Sequence, residues 1–174
     1  MNKYLIVVDV QKDFVDGALG TPEALAIIPR VKEKIAEYRA NGDKIIFTRD
    51  SHQENYLRTN EGKHLPVAHC IVETDGWQIY EGLTEDGDYI VNKPTFGFIN
   101  WKRCVIEESA SADIEIELIG ICTDICVVSN ALILKAAFPE ATIKVDPTAC
   151  AGVTPASHEA ALVVMRMCQV EVSE

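Results

Sequence analysis

Along the whole chain, apolar runs of strand length alternate with segments of helical period. Residues 4–10 (YLIVVDV) are almost continuously apolar and rich in β-branched side chains, as a strand buried on both faces must be. Residues 22–40 carry a helical pattern with Thr21 at the N-cap position, Pro22 at the first helical position and Asn41-Gly42 at the close. Residues 44–48 (KIIFT) and 89–92 predict the second and third strands, and a helix is expected from about 100 to 109. Residues 114–121 (IEIELIGI) predict a fourth strand, with Thr123 and Asp124 capping a helix over roughly 125–137. A fifth strand at 141–145, a last helix at 155–167 and a short edge strand at 169–172 complete the pattern. Strands separated by helices of this length need right-handed crossovers. The predicted fold class is therefore α/β, a three-layer α/β/α arrangement with a mostly parallel central sheet.

The chain has 174 residues, 48% of them hydrophobic and 25% charged, which suits one domain spanning residues 1–174 with a substantial core. Against 27 Asp and Glu stand 16 Lys and Arg, giving a formal charge of −11 at pH 7. Such a charge repels polyphosphate and anionic bilayers, so neither nucleic acid nor membrane is expected as a partner. A small neutral or cationic molecule is the easier guest. No stretch reaches the roughly 20 apolar residues that span a bilayer, and residues 1–10 lack the small-residue cleavage site of a signal peptide. A cytoplasmic chain is expected, with its six cysteines (Cys70, Cys104, Cys122, Cys126, Cys150, Cys168) reduced.

Ligands of open α/β sheets bind beyond the carboxyl ends of the strands. Asp9 closes the first predicted strand, Asp50 and His52 follow the second, Lys93 the third, and Cys122 to Cys126 the fourth. That convergence is the strongest functional signal in the sequence. Cys126, near a helix start, is expected to have its thiol pKa lowered by unpaired backbone N–H groups. Cys122 is its rival, expected to point into packing, and the C-x-x-x-C spacing does not fit a dithiol redox pair. A phosphatase reading of Asp9 requires a second aspartate two positions on, where Gln11 stands. The irregular stretch 49–77 holds three of the four histidines (His52, His64, His69), which favours a functional loop. Asp50 and His52, two apart, can face one ion together, with His69 as a third ligand and Glu61, Glu54 or His64 as further ones. Chemistry alone leaves metal binding and hydrogen-bonded loop histidines both open. His158, in the last helix, reads as an ordinary surface residue. No G-x-G-x-x-G turn or Walker pattern supports nucleotide binding.

The segments VVDVQKDFVDGALG, TRDSHQEN, LPVAHCIVETDGW, VNKPTFGFIN and GICTDICVVSNAL occur in that order between Val7 and Leu132. Together they resemble the isochorismatase-like cysteine hydrolases, and within them the nicotinamidase branch. The resemblance implies a triad in which Asp9 takes the thiol proton, Lys93 holds acid and thiolate in place, and Cys126 attacks an amide carbonyl to form a thioester. It implies an oxyanion hole from the backbone N–H groups of Cys122 and Cys126, with a cis peptide between Ile121 and Cys122. It further implies a divalent metal, zinc first, held by Asp50, His52 and His69 with Glu61 as the fourth ligand. Phe14 matches an aromatic that packs on the substrate ring. The implied reaction is hydrolysis of a small aromatic amide, nicotinamide to nicotinate and ammonia, by a homo-oligomer.

Three departures from that branch are visible. Leu65 and Pro66 stand where a Trp usually precedes the second metal histidine, which makes Leu65 the substrate-facing residue there. The segment from Glu61 to His69 is one residue longer than usual, and Glu73 replaces a glycine. All three lie outside the triad. Two rival readings are a relative acting on an isochorismate-like or carbamoyl substrate, and a catalytically silent member that binds a ligand or partner.

Overall fold

The computed structural model describes residues 2–105 and 113–173. Six strands form one all-parallel sheet in the order β3-β2-β1-β4-β5-β6: β1 Asn2–Val8, β2 Lys44–Asp50, β3 Tyr89–Lys93, β4 Ile114–Ile121, β5 Thr142–Ala151 and β6 Glu171–Val172. The chain starts in the middle, winds outward through β2 and β3, then returns to β4 and winds the other way. This is the doubly wound topology, and the reversal between β1 and β4 opens a crevice at their carboxyl ends.

Alternation along the strands divides the core in two. Tyr4, Ile6 and Val8 of β1 join Ile116 and Leu118 under α5 (Val128–Ala137) and α6 (Pro155–Met167). Leu5 and Val7 face the other way, with Phe47, under α2 (Pro22–Ala26) and α3 (Ile28–Asn41). Helices on both faces explain why β1 and β4 read as unbroken apolar runs.

The expected elements are present with shifted limits. β1 ends at Val8 because Asp9 adopts a left-handed φ of 50°. The single helix expected over 22–40 is two helices that break at Ile27, because Pro29 has no N–H to give the turn before it. Gly42, at φ 72°, closes α3 as expected. β5 runs on to Ala151, well past the expected Val145. It passes Pro147 by a register shift against β4, and the Asp146 carboxylate accepts the N–H and hydroxyl of Thr148 there. Of the helix expected over 100–109, a 3₁₀ turn at Trp101–Arg103 is present, and residues 106–112 lie outside the described ones.

One part of the frame is ionic. On the α3 face, Lys34 pairs with Glu117 at 2.9 Å, the Tyr38 hydroxyl donates to Glu117 at 2.9 Å, and Arg30 pairs with Asp146 at 2.9 Å. Burial works against the charge of Asp146, but the Thr148 hydrogen bonds and Arg30 hold its carboxyl below the usual range. Because its folded pKa lies below the unfolded value near 4, its stabilisation is complete above that pH and is lost as pH falls through the folded value. Asp146→Asn is therefore expected to cost about 1–3 kcal/mol at pH 7. The gap to wild type in thermal or urea melts should close below about pH 4.

Candidate active site

The parallel register brings the predicted residues to one sheet edge. Asp50 of β2 lies opposite Lys93 of β3, and Val8, just before Asp9, lies opposite Gly120 of β4. Gly120, at φ 122°, has its Cα against the Val8 carbonyl, where a side chain would collide with it. This close approach delivers the turn that follows β4. The Ile121–Cys122 peptide is cis, as the resemblance implies. The helix expected from 125 begins instead as a π turn, Thr123–Val127, and becomes α-helical at Val128. Thr123 and Asp124 do not cap it. The Thr123 hydroxyl meets His158 Nδ1 at 2.8 Å, and the Asp124 carboxylate accepts the Val153 N–H at 3.1 Å. His158 is thus half-buried against the turn rather than an ordinary surface residue.

Asp9, Lys93 and Cys126 meet at the floor of the crevice, the first two fully buried and Cys126 reaching the pocket. The Lys93 ammonium lies 2.6 Å from Asp9 Oδ2 and 3.6 Å from Cys126 Sγ, and donates to the Thr95 carbonyl at 3.0 Å. The Thr48 hydroxyl donates to Asp9 Oδ1 at 2.6 Å while accepting the Asp9 N–H at 3.1 Å. Oδ2 makes a close ion pair but accepts no well-directed hydrogen bond, which leaves it a lone pair for a proton.

Burial pushes the Asp9 carboxyl up, against the pull of Lys93. Burial also pushes the Cys126 thiol well up, and the Asp9 charge adds to it. The shift runs opposite to the lowering expected from a helix start, because Cys126 is buried within the π turn and, second, lies beside the Asp9 carboxylate. Burial opposes the Lys93 ammonium, but the Asp9 charge more than restores it. The Lys93 cation faces the Asp9 carboxylate and the Cys126 thiol, with Asp50 Oδ1 3.9 Å away. A proton can pass between Sγ and Asp9. Cys122 packs against the core on the α3 side, as expected, and also lines the same pocket; burial pushes its thiol up to about 12.

The second group is four ligand atoms, from Asp50, His52, Glu61 and His69, all within 4.8 Å of one another. His52 Nε2 lies 2.8 Å from Asp50 Oδ2 and 3.5 Å from Glu61 Oε1, and His69 Nε2 lies 3.5 and 3.9 Å from the same two oxygens. These spacings bracket the edge of about 3.4 Å of a tetrahedron with ligands about 2.1 Å from its centre. His69 Nδ1 donates to the Val67 carbonyl at 2.8 Å, which orients Nε2 towards the cluster. Asp50 Oδ1 is buried without a hydrogen-bond partner. Burial opposes Asp50 ionisation, but His52 and His69 hold its carboxyl well below the usual range. Two imidazoles, an ionised carboxylate and a second carboxyl suit a divalent metal. His64, exposed and bonded to the Asn60 carbonyl, stays out of the cluster, as does the exposed Glu54.

Several supporting residues escaped the sequence reading. Gln11 holds Asp50 by both backbone groups, accepting its N–H at 2.7 Å and donating to its carbonyl at 2.9 Å. Asp13 accepts the Cys70 N–H at 2.7 Å and so pins the loop that carries His69. Tyr56 packs against both His52 and His69, with ring centroids 4.6 and 4.9 Å away, and the two imidazoles touch each other at 4.9 Å. A pocket of about 190 Å³ joins the two groups, lined by Cys126, by Asp50, Glu61 and His69, and by Phe14, Leu65 and Phe96 among others. Phe14 and Leu65 were expected there. Phe96, half-exposed, was not, although an aromatic three residues after the lysine was a signal at hand.

The fold and this site define a hydrolase built on a doubly wound α/β frame. The chain belongs to the isochorismatase family, whose Isochorismatase domain it matches over residues 3–174. Over 143 residues it is 29% identical to a Bacillus subtilis (strain 168) protein described as an uncharacterized isochorismatase family protein, PncA, covering 76% of this chain and 78% of that one. Its fold matches the pyrazinamidase of Pyrococcus horikoshii in complex with zinc at TM-score 0.80 and 28% identity, over 100% of this chain and 99% of that one. It matches the nicotinamidase PncA from Bacillus subtilis at TM-score 0.82 and 27% identity, over 100% of both chains.

Purified protein stripped with a chelator and dialysed against zinc is expected to take up about one equivalent. At a free concentration 100 times Kd, the ion should stabilise the fold by about 2.7 kcal/mol. His69→Ala and Asp50→Ala should each abolish that shift in a thermal melt. Retained stoichiometry in either variant would place the ion elsewhere.

Proposed function

We propose that this protein is a metal-assisted cysteine amidohydrolase that converts nicotinamide, or a close aromatic amide, to the carboxylate and ammonia. The observation that carries the reading is the Lys93 ammonium within 2.6 Å of Asp9 and 3.6 Å of Cys126, with Cys126 lining one pocket together with Asp50, Glu61 and His69. The family match over nearly the whole chain supports residues 1–174 as one hydrolase unit.

In the resting site the thiol keeps its proton, as burial and the neighbouring carboxylate require. As Sγ approaches the amide carbon, Asp9 Oδ2 takes that proton and Lys93 shifts its attraction from carboxylate to thiolate and then to the tetrahedral adduct. The Cys122 and Cys126 N–H groups receive the developing oxyanion, an interaction worth roughly 10²-fold or more in rate per donor. Asp9 returns the proton to the nitrogen, the C–N bond breaks, and ammonia leaves a thioester on Cys126. Asp9 then takes a proton from water as it attacks the thioester, and Cys126 recovers its proton as the acid departs. Asp50, His52, His69 and Glu61 hold the metal, which when bound supplies a Lewis-acid contact for the ring nitrogen of the substrate. Phe14 and Leu65 form apolar walls for the ring.

Ammonia release from nicotinamide by the zinc-loaded protein is the direct test. Cys126→Ala should lower the rate by about 10⁴-fold or more, and chelation should abolish activity that zinc then restores. If nicotinamide yields no ammonia while zinc binds and iodoacetamide still labels Cys126, the substrate assignment fails and the site assignment stands. An unlabelled Cys126 together with no zinc uptake would remove both.

A further inference from the structure

Asn130 lies on α5, four residues beyond Cys126, and is completely buried. All four of its side-chain hydrogen-bonding positions are used. Nδ2 donates to the Cys126 carbonyl at 2.8 Å and to the Phe96 carbonyl at 3.1 Å. Oδ1 accepts the Phe98 N–H at 2.8 Å and the Trp101 indole N–H at 3.1 Å. An amide side chain has two donors and two acceptor sites, so nothing is left over for a ligand. Three separate pieces of chain therefore meet at one side chain: the turn that carries Cys126, the segment that carries Phe96 into the pocket, and the buried Trp101.

Among the described residues β3 is an edge strand, and the segment that follows it from Lys93 to Phe98 is held by a few specific contacts. Thr95 gives its carbonyl to Lys93 Nζ at 3.0 Å. Gly97 packs close to Ile133 of α5, so that a Cβ there would displace the Ile133 δ-methyl. Between these two, Asn130 grips the segment through Phe96 and Phe98. The same amide fixes the Cys126 carbonyl. The Lys93–Cys126 separation is thus spanned by a closed path: Lys93 to Thr95, Phe96 to Asn130, and Asn130 back to Cys126.

We infer that Asn130 is a positioning residue of this site, holding the Cys126 turn and the Lys93–Phe98 segment at the spacing at which the ammonium reaches the thiol. The inference rests on the reading of Cys126 as the nucleophile, and it extends that reading to a residue that touches neither substrate nor reacting atom. Asn130 cannot act on a proton or a bond itself, since an amide has no accessible pKa and every polar atom is engaged. Its effect passes through geometry, and displacements of about 1 Å in such sites cost up to about 10²-fold.

The test uses iodoacetamide, which reads the thiol without any amide substrate and so fails or succeeds independently of ammonia release. Asn130→Thr and Asn130→Val differ by a hydroxyl for a methyl. In a helix, a threonine hydroxyl reaches the carbonyl four residues back, here that of Cys126. The valine variant is expected to alkylate Cys126 about tenfold more slowly than wild type, and the threonine variant within about threefold of wild type. The exposed Cys168 is the reference thiol, and the buried Cys70 and Cys150 report the fold: both should stay unreactive, as a purely structural loss would not leave them. Equal Cys126 rates in the two variants, or a valine variant as fast as wild type, would overturn the inference. Should the valine variant open Cys70 and Cys150, Asn130→Ser against Asn130→Ala gives the same comparison with less bulk, and equal rates there overturn it.

Discussion

The site depends on keeping one ammonium charged where water does not reach it. Lys93 is entirely buried, and an isolated buried cation would give up its proton. It stays charged because Asp9 sits 2.6 Å away, and Asp9 can be there because Thr48 both donates to its carboxylate and accepts its N–H. Asp9 pairs with the lysine through one oxygen and is steered by the hydroxyl through the other. The burial that makes each group costly alone makes the pair stronger together, since the attraction acts through a medium of low dielectric. In the proposed mechanism Cys126 completes the arrangement as a neutral thiol that takes on charge only as Asp9 gives it up. The net charge inside the pocket therefore stays constant as the proton moves.

The parallel sheet makes such a cluster possible at all. Each strand ends at the same edge, so one residue per strand can be aimed at a common point without any long connection crossing the site. The Asp50–Lys93 register pair and the Val8–Gly120 approach set the coarse geometry. The fine geometry comes from side chains that bond to backbone: Gln11 to both groups of Asp50, Asp13 to the N–H of Cys70, and Asn130 to the Cys126 carbonyl. Irregular chain beyond a strand has lost its ladder partners, and a buried amide or carboxylate replaces them. These bonds account for a long, mostly irregular segment between Asp50 and Tyr89 that nonetheless presents two histidines at fixed places.

What the sequence could disclose follows from which forces are local. Apolar runs mark strands because burial on both faces leaves no polar period, so β1 and β4 were legible. The residues at strand ends were legible too, since a charged group next to such a run stands out. Partners set by tertiary contact were not. Nothing local says that Gln11 will complete a ladder, that His158 will meet Thr123, or that Pro147 will sit in a bulge within β5 rather than after it. Pro29 was readable in principle as a helix break, but the continuous apolar face from Ala24 to Ile35 masked it. The direction of the Cys126 shift was misjudged for a similar reason. A helix start is a local feature, whereas burial beside Asp9 is not, and burial is the larger effect.

The departures from the nicotinamidase pattern fall in one place, the chain between α4 (Asn60–His64) and Trp77, and they have a common physical reading. Leu65 fills a wall position with an aliphatic side chain, so that wall offers contact area but no π-face. Glu73 holds a left-handed φ of 69°, a conformation that costs an L-residue roughly 1–2 kcal/mol and a glycine nothing. A non-glycine residue in that conformation is held there by the surrounding contacts of the loop rather than by its own preference. Those contacts are the Asp13 carboxylate on the Cys70 N–H and the bridge of His52 with Ile71. Leu65 is tied to the ligands as well: its N–H donates to the Glu61 carbonyl, its carbonyl accepts the Val67 N–H, and the Val67 carbonyl in turn holds the His69 ring. The wall position and the ligand geometry thus share one short stretch of chain, and the side chain at 65 can vary only within the backbone path that those bonds fix.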